Sequence, residues 1–385
     1  MSRMRELPLR ELIGKSVTAH GALAFDKRDS GIGPRRLPDW TRIQLPPRTD
    51  VMARMPSGVR LRFTTDSPRV GLSFLATSML TPPQERRPNT FNLETASGLA
   101  MASSTVGNTV VLNPDDPDDY TLQRGKPDTV VFDGITAGEP CELWLPHNSL
   151  MELRSLLVDE AAQVMAAEPD PRPRWIHHGS SISHCMEADE PAQTWPAVAA
   201  RIAGACVQNL GLAGECHLDG YVARTIRDSD ADLISLKVGI NVVNGDTMRE
   251  RAFFTALHGF LDTVREGKPE TPLVLISPIH CPCAEDHPGP TVPNDEGKYV
   301  TIPGGKKIRE GCLTLKRVRA LMARIVEKRR EQGDTQLQYL DGLSLFGEAD
   351  AADLPDDLHP NPAGYIRMGE RFADQVLGEL VARVR

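Results

Sequence analysis

The 385-residue chain lacks any run approaching the ~20 consecutive apolar residues that a membrane-spanning helix needs. The stretch from Met1 to Val17 mixes Arg, Glu and Leu and holds no apolar core of a secretory signal, so a cytoplasmic location is expected. An excess of basic charge is missing as well. The net charge is −8, which argues against a general nucleic-acid binder. No internal repeat or low-complexity tract occurs, which excludes solenoid architectures. No Gly-x-Ser-x-Gly elbow occurs, which counts against an α/β-hydrolase. The seven cysteines are odd in number and irregular in spacing, and read as free packing thiols. Cys281-Pro282-Cys283 lies between His280 and His287, but C-x-C is not the C-x₂₋₄-C of zinc sites and no second ligand pair follows. No metal site is expected.

What is present is the composition of an ordinary globular protein, 40% hydrophobic and 25% charged, with a length that favours two domains. Residues 1–165 offer short β-rich runs: Val59–Thr64, Val70–Leu75, Thr109–Leu112, Thr129–Phe132, Cys141–Leu145 and Met151–Val158. Turn residues such as Asn113-Pro114-Asp115-Asp116 separate them, and the pattern predicts an all-β antiparallel sandwich. Residues 166–173, with three prolines in Pro169-Asp170-Pro171-Arg172-Pro173, predict a stiff connector. Residues 174–385 alternate β and α. Strands are expected at Arg174–His178, Val207–Leu210, Leu233–Val238, Leu273–Ser277 and Leu337–Leu340. Helices are expected at Thr194–Gly204, Asp219–Arg227, Thr247–Arg265, Cys312–Arg330 and Asn361–Val384. Trp195, Val198, Ala199 and Ile202 would share one buried face, and the basic helix 312–330 would present a solvated one. The alternation predicts a parallel sheet with helices on both faces, an α/β class fold.

The chemistry-bearing residues follow the strands. Gly179-Ser180-Ser181-Ile182-Ser183 follows the first, Gly211-Leu212-Ala213-Gly214 the second, Gly239-Ile240-Asn241 the third, and Asp356-Asp357-Leu358-His359 the fifth. In an open parallel sheet all four lie on the carboxyl rim. A serine, a histidine with an acid three residues before it and two donor-bearing turns are the parts of a serine acyl-transfer site. Each piece also has a plain structural reading. Ser181 could cap a helix, Asn241 could form a turn, and Asp356 could cap the helix after Pro360. It is the shared order and shared rim that favour catalysis.

These four blocks resemble the SGNH branch of the GDSL esterase/acyltransferase superfamily, whose signature residues match Ser181, Gly214, Asn241 and His359 in order. Two departures are visible: Ser180 stands where the family usually has Asp, and Val242 follows Asn241 where Asp is common. The resemblance covers 174–385. It implies a three-layer α/β/α SGNH-type domain behind the sandwich, a Ser181 nucleophile and a His359 general base. It also implies Asp356, with Asp357 as the competing choice, orienting His359, and an oxyanion hole of Ser181 N–H, Gly214 N–H and the Asn241 amide. Gly211 is the alternative to Gly214.

The sandwich and the Gly-Ser-Ser-Ile-Ser variant are similar to family members that transfer an aryl acyl group from a coenzyme A thioester in antibiotic biosynthesis. The expected function is therefore serine-dependent transfer from such a donor to an alcohol of a small polyketide-type acceptor, with no metal or prosthetic group. A carboxylesterase or carbohydrate esterase is the alternative, and a non-catalytic binder on the same scaffold the third reading. The Pro- and Gly-rich segment from Ile279 to Gly311 follows the fourth strand and predicts a lid or acyl-pocket wall. Lys306, Lys307 and Arg309 within it are candidate contacts for the coenzyme phosphates.

Overall fold

A computed structural model describes residues 3–82, 84–113, 116, 119–302 and 310–384. Lys306, Lys307 and Arg309 lie outside them, as do parts of the 113–116 turn. The chain forms two compact units, Met1–Asp170 with Asp189–Ala192, and Pro171–Ala188 with Gln193–Arg385. Among the described residues no helix is long and apolar enough to cross a membrane.

The first unit contains an eight-stranded and a six-stranded sheet. Buried side chains from both make one core, in which Phe74 of the larger sheet meets Phe91 of the smaller at 4.7 Å between ring centroids. The pairing is antiparallel throughout the larger sheet except between Arg69–Leu80 and Asn108–Leu112, which run parallel, a departure from the expected purely antiparallel sandwich. Strand Ser149–Asp159 changes phase along its length. Met151 and Leu153 are buried, and so are Leu156 and Val158, two sets of opposite parity. A register shift between Leu153 and Ser155 reverses the phase, so both sets face the core.

The second unit is built on a parallel sheet of Cys206–Gly211, Arg174–Gly179, Leu233–Lys237, Leu273–Ile276 and Leu337–Leu340, in that spatial order. Order 2-1-3-4-5 reverses once, between the first and third strands. With right-handed crossovers that reversal puts helices on both faces and opens a crevice at the switch point.

Three helical expectations need correction. Ile202 is 59% exposed, because it sits at the end of Trp195–Ala203, one turn past the buried patch. The closing helix is not α-helical throughout. Pro362–Phe372 passes through a wide turn at Ala373–Leu377 before Gly378–Val384. The basic helix Leu315–Glu331 is also less solvated than expected: Arg319 is buried and donates to both carboxylate oxygens of Glu285, each at 2.7 Å, and to the carbonyls of Pro278 and Ile279.

Candidate active site

Strand Arg174–Gly179 runs directly into a single helical turn, Ser181–His184. Its cap is Ser180, whose Oγ accepts from the Ile182 N–H at 3.4 Å; Ser181 is the first residue of the turn and is not spent as a cap. The turn is tied down from below. The Ser183 hydroxyl lies 2.7 Å from His177 Nε2, and His177 Nδ1 lies 2.7 Å from Ser235 Oγ, which also accepts from Trp175 Nε1–H at 2.9 Å. Asn209 donates to the Ser183 carbonyl at 2.8 Å. Burial, with His178 and Lys237 nearby, holds the His177 imidazole well below its ordinary range. A neutral ring offers one donor and one acceptor, which suits two hydroxyl partners.

Ser181 and His359 stand 178 positions apart in sequence, yet Ser181 Oγ lies 2.9 Å from His359 Nε2. His359 Nδ1 lies 2.7 Å from Asp356 Oδ2. Asp356 Oδ1 accepts the backbone N–H of Leu358 at 3.0 Å and of His359 at 2.6 Å. Burial alone would raise the Asp356 pKa, but the His359 bond, its charge and the two amides outweigh it, and the carboxylate titrates below its ordinary value. For His359 burial acts downward, while the charges of Glu187 and Asp356 and the Asp356 bond act upward and win. Asp357 takes no part in this line: at a φ of 64° it turns away and pairs with Lys298 Nζ at 3.2 Å. Nor does Asp356 cap the next helix, because Asn361 does, accepting from the Gly364 N–H at 2.8 Å.

The three expected oxyanion donors also come from separate strand ends. Asn241 Oδ1 accepts from the Cys216 N–H at 3.1 Å, which fixes the amide and leaves its NH₂ uncommitted among the described residues. Gly239 adopts a φ of 109°, and a Cβ there would come within 2.6 Å of Val318 Cγ1, so only glycine permits the tight turn that delivers Asn241. Gly214 sits at a φ of 75°. No hydrogen bond among the described residues uses the N–H of Ser181 or Gly214. The competing Gly211 N–H is taken, donating to Asn209 Oδ1 at 2.8 Å.

Two neighbours, Glu187 and Tyr365, had no sequence signal. Glu187 accepts from the fully buried Tyr365 hydroxyl at 2.7 Å. The hairpin Thr291–Pro293/Tyr299–Thr301 brings the Tyr299 ring edge-on to His359, 5.8 Å between centroids, and the Tyr299 N–H to the Asp356 carbonyl at 2.9 Å. The predicted lid segment thus packs on the histidine-bearing loop. His178 is structural, bonding the Leu210 carbonyl at 2.8 Å and facing Cys216 Sγ at 3.4 Å.

Such a rim on such a sheet defines a class. Residues 178–367 match the GDSL-like lipase/acylhydrolase family, and residues 17–154 match the SsfX3 N-terminal domain. The chain therefore carries a GDSL lipase/acylhydrolase domain behind an SsfX3-type N-terminal domain, the equipment of an enzyme of acyl transfer or ester cleavage. Over nearly its whole length it is similar to the salicylyl-acyltransferase SsfX3 from a tetracycline biosynthetic pathway: 27% identity, 97% of this chain and 98% of that one, TM-score 0.79. It shares its fold with a Bacteroides ovatus protein assigned as a GDSL-like lipase (19% identity, 99% and 98% covered, TM-score 0.69). A family two carbohydrate esterase from Cellvibrio japonicus also has this fold (12%, 100% of each chain, TM-score 0.57). None of the curated proteins compared matches the chain by sequence.

Proposed function

We propose that the protein is a serine-dependent acyltransferase that moves an aryl acyl group from a coenzyme A thioester to an alcohol of a small polyketide-type acceptor. The observation that carries this reading is the unbroken line Ser181–His359–Asp356, at 2.9 and 2.7 Å. Ser181 Oγ attacks the thioester carbonyl as its proton passes to His359 Nε2. Asp356 holds the tautomer and stabilises the imidazolium. The tetrahedral oxyanion meets the N–H groups of Ser181 and Gly214 and the Asn241 NH₂, each such donor being worth about 10²–10³ in turnover. Collapse of the intermediate breaks the C–S bond, and His359 returns its proton to the leaving thiolate. An acceptor hydroxyl then loses its proton to His359 and attacks the acyl carbonyl; collapse breaks the acyl C–Oγ bond, His359 returns the proton to Ser181 Oγ, and the acceptor leaves as the ester. The similarity to a salicylyl-acyltransferase supports an aryl acyl group as the one transferred.

The test is intact-protein mass spectrometry of wild type and Ser181→Ala mixed with a panel of acyl thioesters, salicylyl-coenzyme A included, with and without alcohols. An adduct on wild type alone, discharged faster by an alcohol than by water, is the expected result. An adduct discharged equally fast by water would make the protein an ester hydrolase. Absence of any adduct would overturn the acyl-enzyme.

A further inference from the structure

Cys281 and Cys283 are the thiols that the acyl-transfer chemistry leaves unused. Their sulfurs lie 3.7 Å apart, in contact but unbonded. Cys281 is fully buried, whereas Cys283 is the one cysteine of the seven that is half-buried. The base of their loop is rigid: the Cys281 N–H donates to Glu285 Oε1 at 3.1 Å, and Glu285 is clamped by Arg319. The Cys281 S–H reaches the Asp357 carbonyl at 3.5 Å. Asp357 is the residue between Asp356 and Leu358-His359, and it holds a left-handed φ of 64°, a sparsely populated conformation for a non-glycine residue. Its other ties are the Lys298 ion pair and its own N–H to the Leu354 carbonyl at 3.1 Å.

We infer that Cys281–Cys283 is a reversible thiol–disulfide modification site, oxidised by low-molecular-weight disulfides, whose closure releases Asp357 and slows the Ser181 site. An accessible thiol beside a buried partner is the arrangement that such exchange needs. Cys283 is the thiol that solvent reaches, and Cys281 lies buried behind it. Cys283 is thus the attacking thiolate and Cys281 the resolving thiol. Cys283 Sγ attacks one sulfur of glutathione disulfide, breaking its S–S bond and releasing one glutathione thiolate. Cys281 then loses its proton to that thiolate and attacks Cys283 Sγ, expelling the second glutathione. Two protein thiols are oxidised by two electrons, and one disulfide is reduced to two thiols.

Closure brings the sulfurs to about 2.05 Å and removes both S–H groups. The Asp357 carbonyl loses its thiol donor. Asp356 and His359, on either side, lose part of what holds their spacing. Acylation at Ser181 is expected to slow about tenfold, within the ~10²-fold that a 1 Å misplacement can cost. The rate consequence rests on the acyl-transfer reading above; the modification itself does not.

The experiment uses the full chain, equilibrated across glutathione/glutathione-disulfide ratios. One portion is alkylated and peptide-mapped, and another is labelled at Ser181 with a fluorophosphonate. A Cys281–Cys283 cross-link, slowed labelling and recovery of both in dithiothreitol are expected. Cys283→Ser, with Cys283→Ala as a second variant, should label at the reduced wild-type rate and ignore glutathione disulfide. Cysteines that stay alkylatable throughout would overturn the site. A cross-link with unchanged labelling would overturn its link to Asp357, as would Cys283 variants still slowed by the oxidant. Wild type that labels in no redox state would defeat the acyl-transfer reading instead, and the peptide map would still decide the site.

Discussion

At the scale of single residues, His359 is asked for two opposed things. To take the Ser181 proton it must be neutral, yet Glu187 and Asp356 favour its charged form and hold its pKa above 6.5 despite burial. The stabilisation from that pairing is fully present below the unfolded pKa of about 6.5 and is lost as pH rises through the higher folded value. Reactivity runs the other way. kcat/KM is expected to fall as pH drops through a value above 6.5, with the acid limb reporting His359. Glu187→Gln removes one upward influence and should move that limb to lower pH while changing KM little. A pH–rate profile of both proteins checks this, and an unmoved limb would assign the shift to Asp356 alone.

At the scale of elements, the five strands of the second unit and most of its helices were legible because their apolar periods are long and uninterrupted. The placement of the segments bearing Ser181, Gly214, Asn241, Asp356 and His359 after those strands was legible too, since a parallel sheet sends every strand's carboxyl end to one rim. Elements without an apolar pattern were not legible. The strands Ala24–Arg28 and Gly31–Arg35 carry buried arginine and glycine where an apolar alternation would be sought. The Ser183–His177–Ser235 chain beneath the nucleophile was invisible because its members lie on three elements and obey no spacing rule.

Lys237 is the sharpest case. In the run Leu233–Val238 it reads as a polar strand end, yet it is 1% exposed and its ammonium finds no hydrogen-bond partner among the described residues. Burial lowers its pKa to about 8. Because the unfolded lysine titrates near 10.4, the folded state binds fewer protons between these values, and stability should rise with pH from about 8 to about 10. Below that window the buried charge costs about 3 kcal/mol. Lys237→Met should be the more stable protein at pH 7 and should lose the rise. Urea unfolding of both proteins at pH 7 and pH 10 measures it. A variant less stable at pH 7 would show that the ammonium has a partner in solution.

At the scale of the whole molecule, the chain does not pass once from one unit to the other. It enters the second unit at Pro171 and forms the Ser181 turn. Asp189–Ala192 then belongs to the first unit before the chain re-enters at Gln193. Asn92, fully buried in the smaller sheet, fixes that excursion: its Nδ2 donates to Glu190 at 2.5 Å, and its Oδ1 accepts the Ala192 N–H at 3.1 Å. Both flanks of the excursion have work to do in the second unit. One leads back through Glu187 to the Ser181 turn, and the other leads through Thr194 into helix Trp195–Ala203.

Asn92→Ala would leave the buried Ala192 N–H without its acceptor, at a cost of about 1–3 kcal/mol. Because the loosened segment is covalently continuous with the nucleophile turn, the loss should appear twice: as a lower midpoint of thermal unfolding, and as slower fluorophosphonate labelling of Ser181. Asn113→Ala, which removes a bond to Asp119 in an exposed turn, should do neither. If Asn92→Ala lowered the midpoint and left labelling untouched, the excursion would matter to folding alone, and the Ser181 turn would owe its geometry to the His177 and Asn209 bonds beneath it.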